Sequence, residues 1–133
     1  MSYSIFRRSR TGAAALFAAA MVTGLTATPA AALSDLDNYI FVPNRASADV
    51  AVIDARTDKV VAKVQVGNTP HQVAVSAKLG KMIASNTADN TITIVDLKTL
   101  QTAATLTLGA MPEHMEVSPH GGVLAVGNIE AGT

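Results

Sequence analysis

Apolar and polar residues alternate in short runs from residue 39 onward, and the order of these runs repeats at a fixed interval that carries Asn44 onto Asn86 and Asn86 onto Asn128. Val60–Val66, for example, alternates apolar residues with Lys63 and Gln65, the period-2 pattern of a strand with one exposed face. No stretch sustains helical periodicity, and Val, Ile and Thr dominate the runs, as in packed strands. The pattern predicts an all-β chain with strands at Tyr39–Asn44, Asp49–Asp54, Val60–Val66, His71–Ser76, Met82–Asn86, Thr91–Asp96, Ala103–Leu108, Glu113–Ser118 and Val123–Asn128.

The 42-residue period also fixes the positions of polar and turn-forming residues. Residues that recur in step are Asn44, Asn86 and Asn128, Asp54 and Asp96, Gly67 and Gly109, Pro70 and Pro112, Ser76 and Ser118, and Gly80 and Gly122. A fixed period of this length, built from short strands, is typical of a propeller blade or a similar array. Four strands in each period predict a four-stranded antiparallel meander.

One motif makes the repeat more specific. It reads G-x-x-P-x-x-V-A-V-S, then a glycine turn, then a short apolar strand ending in Asn, then N-T-I-x-I-V-D. Its residues are Gly67, Pro70, Val73–Ser76, Gly80, Met82–Asn86 and Asn90–Asp96, with a second copy at Gly109, Pro112, Val117, Ser118 and Asn128. This motif resembles the YVTN-type β-propeller repeat, although Ile83–Asn86 replaces the family's tyrosine-led strand and Met115-Glu116 replaces Val-Ala.

The resemblance implies a division of the chain into blades. Residues 39–66 correspond to the outer three strands of one blade, 67–108 to a complete blade, and 109–133 to the start of a third. Members of the family usually have seven blades, so about two and a half blades form an incomplete propeller. An open array would expose the apolar faces of both terminal sheets. We therefore expect the chain to be the N-terminal part of a longer propeller, or to be completed by self-association.

Residues 1–32 differ from the repeats. Three arginines, Arg7, Arg8 and Arg10, precede the apolar run Gly12–Leu25, and Ala30-Ala31-Ala32 offers a cleavage site before Leu33. This order predicts a signal peptide over 1–32, followed by a short lead-in at 33–38 and a periplasmic or secreted protein. The apolar run is shorter than the ~20 residues of a membrane anchor. The arginine pair leaves both Sec and twin-arginine export open.

Charge and cysteine content narrow the possible partners and sites. Residues 33–133 contain seven Lys and Arg against ten Asp and Glu, and the whole chain has no cysteine. Without basic clusters, we expect no binding to nucleic acid and none to a membrane after signal cleavage. Without cysteine there is no disulfide framework and no thiolate zinc site. The sequence assigns no metal and no cofactor.

Four residues are candidates for ligand binding at the mouth of the propeller channel: His71, Gln72, Glu113 and His114. The resemblance implies that the connections leading into inner strands line this mouth. Either histidine could ligate a metal or haem iron or act as an acid or base. The alternative is a polar residue without a function, which is favoured because no second ligand lies at metal-site spacing. Strict alternation also predicts that the two histidines point to opposite faces.

The expected function is therefore a binding or scaffold module that presents its channel face to a protein, a surface polymer or a small ligand. Two enzymatic alternatives remain, with most of the active site outside these residues. YVTN-like blades resemble those of the haem-bearing nitrite-reductase domain and of periplasmic dehydrogenases, which implies a haem- or cofactor-associated oxidoreductase. They are also similar to those of lactonase-type hydrolases.

Overall fold

Nine antiparallel strands and one short 3₁₀ helix make up the chain in a computed structural model, which describes Leu33 and residues 35–132. The predicted signal peptide, with the predicted cleavage residues Ala30 and Ala32, lies outside the described residues. Within the described part, no helix is long and apolar enough to cross a membrane. The 3₁₀ helix spans Leu36–Asn38, and the strands are β1 Tyr39–Asn44, β2 Asp49–Asp54, β3 Lys59–Gln65, β4 Pro70–Ser76, β5 Lys81–Asn86, β6 Thr91–Asp96, β7 Gln101–Thr107, β8 Pro112–Val117 and β9 Leu124–Asn128.

The strands form three consecutive meanders, ordered β1-β2-β3, β4-β5-β6-β7 and β8-β9. Every pair is antiparallel and joins neighbours in the sequence. The fold is a partial β-propeller, and the prediction of an all-β chain with four-stranded blades is confirmed. Most strand bounds lie within one position of the predicted ones. The largest difference is in β7, which begins at Gln101 rather than Ala103 because this polar residue pairs with Asp96.

Two apolar clusters hold the sheets together. The first packs the first sheet against the second, and its buried members are Val50, Val52, Val64, Met82, Ala84, Val95, Leu97 and Leu100. The second is smaller and centres on Ile83, Ile92 and Met115. Successive residues of β5 enter opposite clusters, as the pleat of a strand requires. Leu33 and Leu36 also pack against the first cluster, so the lead-in carries apolar contacts that its polar neighbours do not suggest.

The repeated asparagines and glycines tie the loops together at one end of the sheets. Asn86 is fully buried; its side-chain oxygen accepts from the Gly67 N–H at 3.1 Å, and its amide donates to Thr91 and Thr93 at 2.9 Å. A Cβ on Gly67 would lie 2.6 Å from the Asn86 side chain, so only glycine fits there. Gly67 and Asn86 thus have a structural role, whereas the side-chain oxygen of Asn128, one repeat later, has no hydrogen-bond partner among the described residues.

Candidate functional site

The four candidate residues lie at the starts of two neighbouring strands. His71 and Gln72 are on β4, the first strand of the second sheet, and Glu113 and His114 are on β8, the first strand of the third sheet. These two strands lie against each other. Glu113 follows His71 by one 42-residue period, and His114 follows Gln72 by the same interval. Equivalent positions of successive repeats thus meet across the sheet interface.

His71 contacts both of its neighbours on β8. Its Nε2 lies 3.0 Å from Oε1 of Glu113, and its ring meets the ring of His114 edge to face, with centroids 6.2 Å apart. The side chains of His71 and Glu113 are 30% and 21% exposed, so the pair is reachable from solvent. Nδ1 of His71 is buried and has no hydrogen-bond partner in the described part of the chain. The imidazole therefore has one nitrogen engaged by a carboxylate and one unused.

The strand pairing is irregular beside both histidines. On β4, Pro70 pairs with Asn86 and Val73 with Ala84, so β4 holds one residue more than β5 over this interval. On β8, Pro112 pairs with Asn128 and His114 with Gly127, which is again one extra residue. Such bulges re-aim side chains and interrupt alternation. The prediction that His71 and His114 lie on opposite faces of their strands stays a prediction, because sheets that pack face to face bring opposite faces together and the 6.2 Å ring contact does not contradict it.

Gln72 joins the two strands through the backbone of β8. Its side-chain amide donates to the Met115 carbonyl at 3.0 Å, and its side-chain oxygen accepts from the Met115 N–H. Ser85, fully buried on β5, accepts from the Gln72 N–H at 3.1 Å. The Ser85 hydroxyl lies 3.4 Å from the Gln72 carbonyl and 3.3 Å from the Glu113 carbonyl and donates to one of them at a time.

Sequence reasoning missed Ser85. The residues at the same repeat position are Pro43 and Gly127, so a buried hydroxyl stands out only in the second unit. This difference between equivalent repeat positions could have identified Ser85 from the sequence. Beside these residues an open depression of about 310 Å³ is lined by Gln72, His114, Met115, Glu116, Ala125 and Gly127.

The aspartates at strand ends serve local structure. Asp54 accepts from the backbone and the guanidinium of Arg56, and the side-chain hydrogen bond from Arg56 lowers the pKa of Asp54 to about 2. Asp96 occupies the same repeat position, and the hydrogen bond from the Lys81 ammonium lowers its pKa. No group of three or more His, Asp or Glu residues suited to a bare metal ion occurs among residues 33 and 35–132.

A comparison with known families identifies the family of this chain. The family described as "Cytochrome D1 heme domain" matches residues 34–133. The chain belongs to the cytochrome D1 heme domain family. No curated protein sequence matches it significantly.

Solved structures similar to this cytochrome D1 heme domain chain are β-propellers. Hydrazine synthase of Kuenenia stuttgartiensis superimposes with a TM-score of 0.66 and 26% identity over 68% of this chain and 26% of its own. The dihydro-heme d1 dehydrogenase NirN, in complex with DHE, gives a TM-score of 0.61 and 22% identity over 71% of this chain and 20% of its own. Apo AztD from Citrobacter koseri gives 0.51 and 14%, with 58% and 22% covered. The chain thus spans about a quarter of these structures or less.

The family bears on the function expected from the sequence. Membership in a haem-domain family supports the haem-associated alternative better than the scaffold module. The lactonase alternative gains no support from it.

Proposed function

We propose that the chain forms part of a haem-binding β-propeller of an exported oxidoreductase, with His71 as its candidate protein ligand to the haem iron. The observation that carries the proposal is the His71–Glu113 contact of 3.0 Å at the start of two inner strands, in a chain of the cytochrome D1 heme domain family. A haem supplies four iron ligands itself, so one or two protein side chains complete the set. A lone imidazole is therefore sufficient, and no three-residue cluster is needed.

The chemistry of the donor set fits such a group. Histidines that bind metals usually donate the second ring N–H to a carboxylate or a carbonyl, which fixes the tautomer and makes the ligand more basic. Glu113 is placed to accept from Nε2 of His71, which leaves Nδ1 with a free lone pair. Because Nδ1 is buried, the ring would have to turn to present this nitrogen to the iron. When bound, a haem would supply one-electron chemistry, and His71 would give an imidazole nitrogen to the iron with the Glu113 carboxyl group beside that ring.

The repeat type, the export signal and the completion of the propeller are further parts of the proposal. We propose that the repeat is of the YVTN type, that 1–32 is a signal peptide cleaved before Leu33, and that the mature protein is periplasmic or secreted. The channel face would then meet a protein, a polymer or a small ligand, and further blades or a second copy would complete the propeller. N-terminal sequencing of the exported protein tests the cleavage site, since any first residue other than Leu33 contradicts it.

Haem titration tests the central assignment. The purified full chain is titrated with haem d1 and separately with protohaem, and the Soret band is followed. We expect saturable spectral changes for the wild type and for His120→Ala, whose histidine lies in an exposed turn, and none for His71→Ala. Identical titrations of the wild type and His71→Ala would refute the assignment. Loss with His114→Ala but not with His71→Ala would move it to the other histidine.

A further inference from the structure

Gln72 makes an unusual contact between the second and third sheets. Its side-chain amide pairs with both the N–H and the C=O of Met115, so one side chain takes the place of a neighbouring strand's peptide group. Other side chains also bond to the backbone of the following repeat, the Ser76 hydroxyl to the Gly121 carbonyl at 2.7 Å and the Asn90 oxygen to the Met111 N–H at 2.8 Å, but each makes a single bond there. The paired bonds fix both the distance and the rotation of β8 relative to β4 at this point. Met115 itself is 4% exposed, so the contact lies against a packed residue.

Ser85 holds the other side of Gln72. Its buried hydroxyl accepts from the Gln72 N–H and faces the carbonyls of Gln72 and Glu113. The bulge in β4 displaces the Gln72 N–H from the regular ladder, and Ser85 gives it a partner. Gln72 is thus fixed by its backbone to β5 and by its side chain to β8. We refer to Gln72, Ser85 and the Met115 peptide as the inter-blade clamp.

Two residues of the inter-blade clamp directly follow the histidines in the sequence. His71 precedes Gln72 directly, while Glu113 and His114 precede Met115. A change in the spacing of Gln72 and Met115 therefore moves His71 relative to Glu113. The contact is 3.0 Å long, so a shift that lengthens it beyond about 3.5 Å, or a comparable misalignment of the donor, loses it.

We infer that Gln72 is a positioning residue, which sets the His71–Glu113 contact by clamping β4 to β8 through the Met115 peptide. It touches no reacting group itself. An effect of Gln72 on haem binding rests on the proposed function. An effect of Gln72 on the His71–Glu113 contact does not depend on it. An amide of this length is required, because it must donate and accept at once. Glutamate cannot donate at neutral pH, and asparagine is one methylene too short.

Proton exchange at His71 tests the inference without haem. In the full chain, the His71 Nε2 proton is expected to be protected from solvent by Glu113 and visible by NMR. Gln72→Ala should accelerate its exchange by about five- to tenfold, the loss expected for one to two hydrogen bonds. Gln101→Ala, an exposed glutamine on β7, is the matched control and should leave it unchanged. Unchanged exchange in Gln72→Ala overturns the inference.

Two further variants keep the test decisive. If Gln72→Ala does not fold, Gln72→Asn retains the amide and polarity but not the reach, and exchange should accelerate in the same way. If Gln72→Asn matches the wild type, the inference fails. Glu113→Gln should accelerate exchange as Gln72→Ala does, and the double variant should add little further, because both act on one contact. Full additivity would show that Gln72 acts elsewhere. Haem titration of His71→Ala is independent of all of these outcomes.

Discussion

The two sheet interfaces of the molecule are built from different chemistry. Between the first and second sheets, eight buried residues form an apolar cluster around Val52, Met82 and Val95. Between the second and third, the apolar cluster has three buried members, and polar contacts of His71 and Gln72 continue it toward the start of the strands. The same repeat thus makes one interface that is mainly apolar and one that also brings polar side chains together. Apolar packing tolerates small shifts, whereas hydrogen bonds between strands fix an orientation.

The largest effect is expected in the apolar interface. Met82 is fully buried, and Met82→Ala removes packing from both sheets. The free energy of unfolding should fall by about 2–5 kcal/mol, as for other large-to-small core substitutions. Chemical denaturation of the full chain measures it, and Leu106→Ala, at a site 47% exposed, serves as the control. An equal loss in both variants would contradict the core assignment.

A smaller loss is expected in the polar interface. Ser85→Ala removes a buried hydroxyl and leaves the Gln72 N–H without its partner. An unsatisfied buried donor costs about 1–2 kcal/mol, so stability should fall by that amount. The His71 Nε2 proton should also exchange faster, an effect that Met82→Ala should not reproduce while the chain stays folded. Thr107→Ala, on the exposed face of β7, is the matched control. If Ser85→Ala alters stability alone, the polar interface is merely structural.

The comparison of the two interfaces also shows how much of the structure can be predicted from the sequence. Short apolar runs identify β2 and β5 as strands, and both strands are buried on their two faces, so their burial is read from the apolar residues and not from alternation. At Pro70–Val73 and Pro112–His114 each strand holds one extra residue, and such a bulge interrupts the alternation of side chains without a periodic signal in the sequence. The candidate residues could therefore be named from the sequence, but the meeting of the two histidines could not.

Backbone strain marks the entrance of the polar interface. Thr69 has φ of 52°, and Met111, one period later, has 57°. Left-handed backbone is unfavourable for a β-branched residue by about 1–2 kcal/mol. Thr69→Gly should therefore raise stability by up to about 1 kcal/mol, reduced by the greater freedom of glycine in the unfolded chain. Thr107→Gly, the same change within a strand, should lower it.

Thr69→Gly also tests whether the stability of the chain and the fixed position of His71 change independently. Thr69 lies two residues before His71, and its carbonyl accepts from the Thr87 hydroxyl at 2.9 Å. A freer backbone there should make the His71 Nε2 proton exchange faster even as the denaturation midpoint rises. If stability rises and the His71 Nε2 proton also exchanges more slowly, the strained backbone at Thr69 does not help to position His71.

The smallest effect is expected from the turn carboxylates, which lie at neither interface. Asp54 has its pKa lowered from 3.8 to about 2, chiefly by the side-chain hydrogen bond from Arg56. A lowered folded-state pKa stabilises the protein above the ordinary value, and that contribution is lost as the pH falls from about 4 toward 2. Arg56 is largely exposed, so solvent screens the pair and the contribution is modest.

Asp54→Asn tests this origin of acid sensitivity. The variant retains the side-chain oxygen that caps the Arg56 N–H but loses the charge. Its denaturation midpoint should lie slightly below that of the wild type at pH 7, depend less on pH between about 4 and 2, and converge with the wild type near pH 2. Asp58→Asn, in the following turn and without a hydrogen bond between the described side chains, is the control and should follow the wild type. If the two variants have the same acid profile, the loss of stability in acid arises at other carboxylates, with Asp96 beside Lys81 as the first to examine.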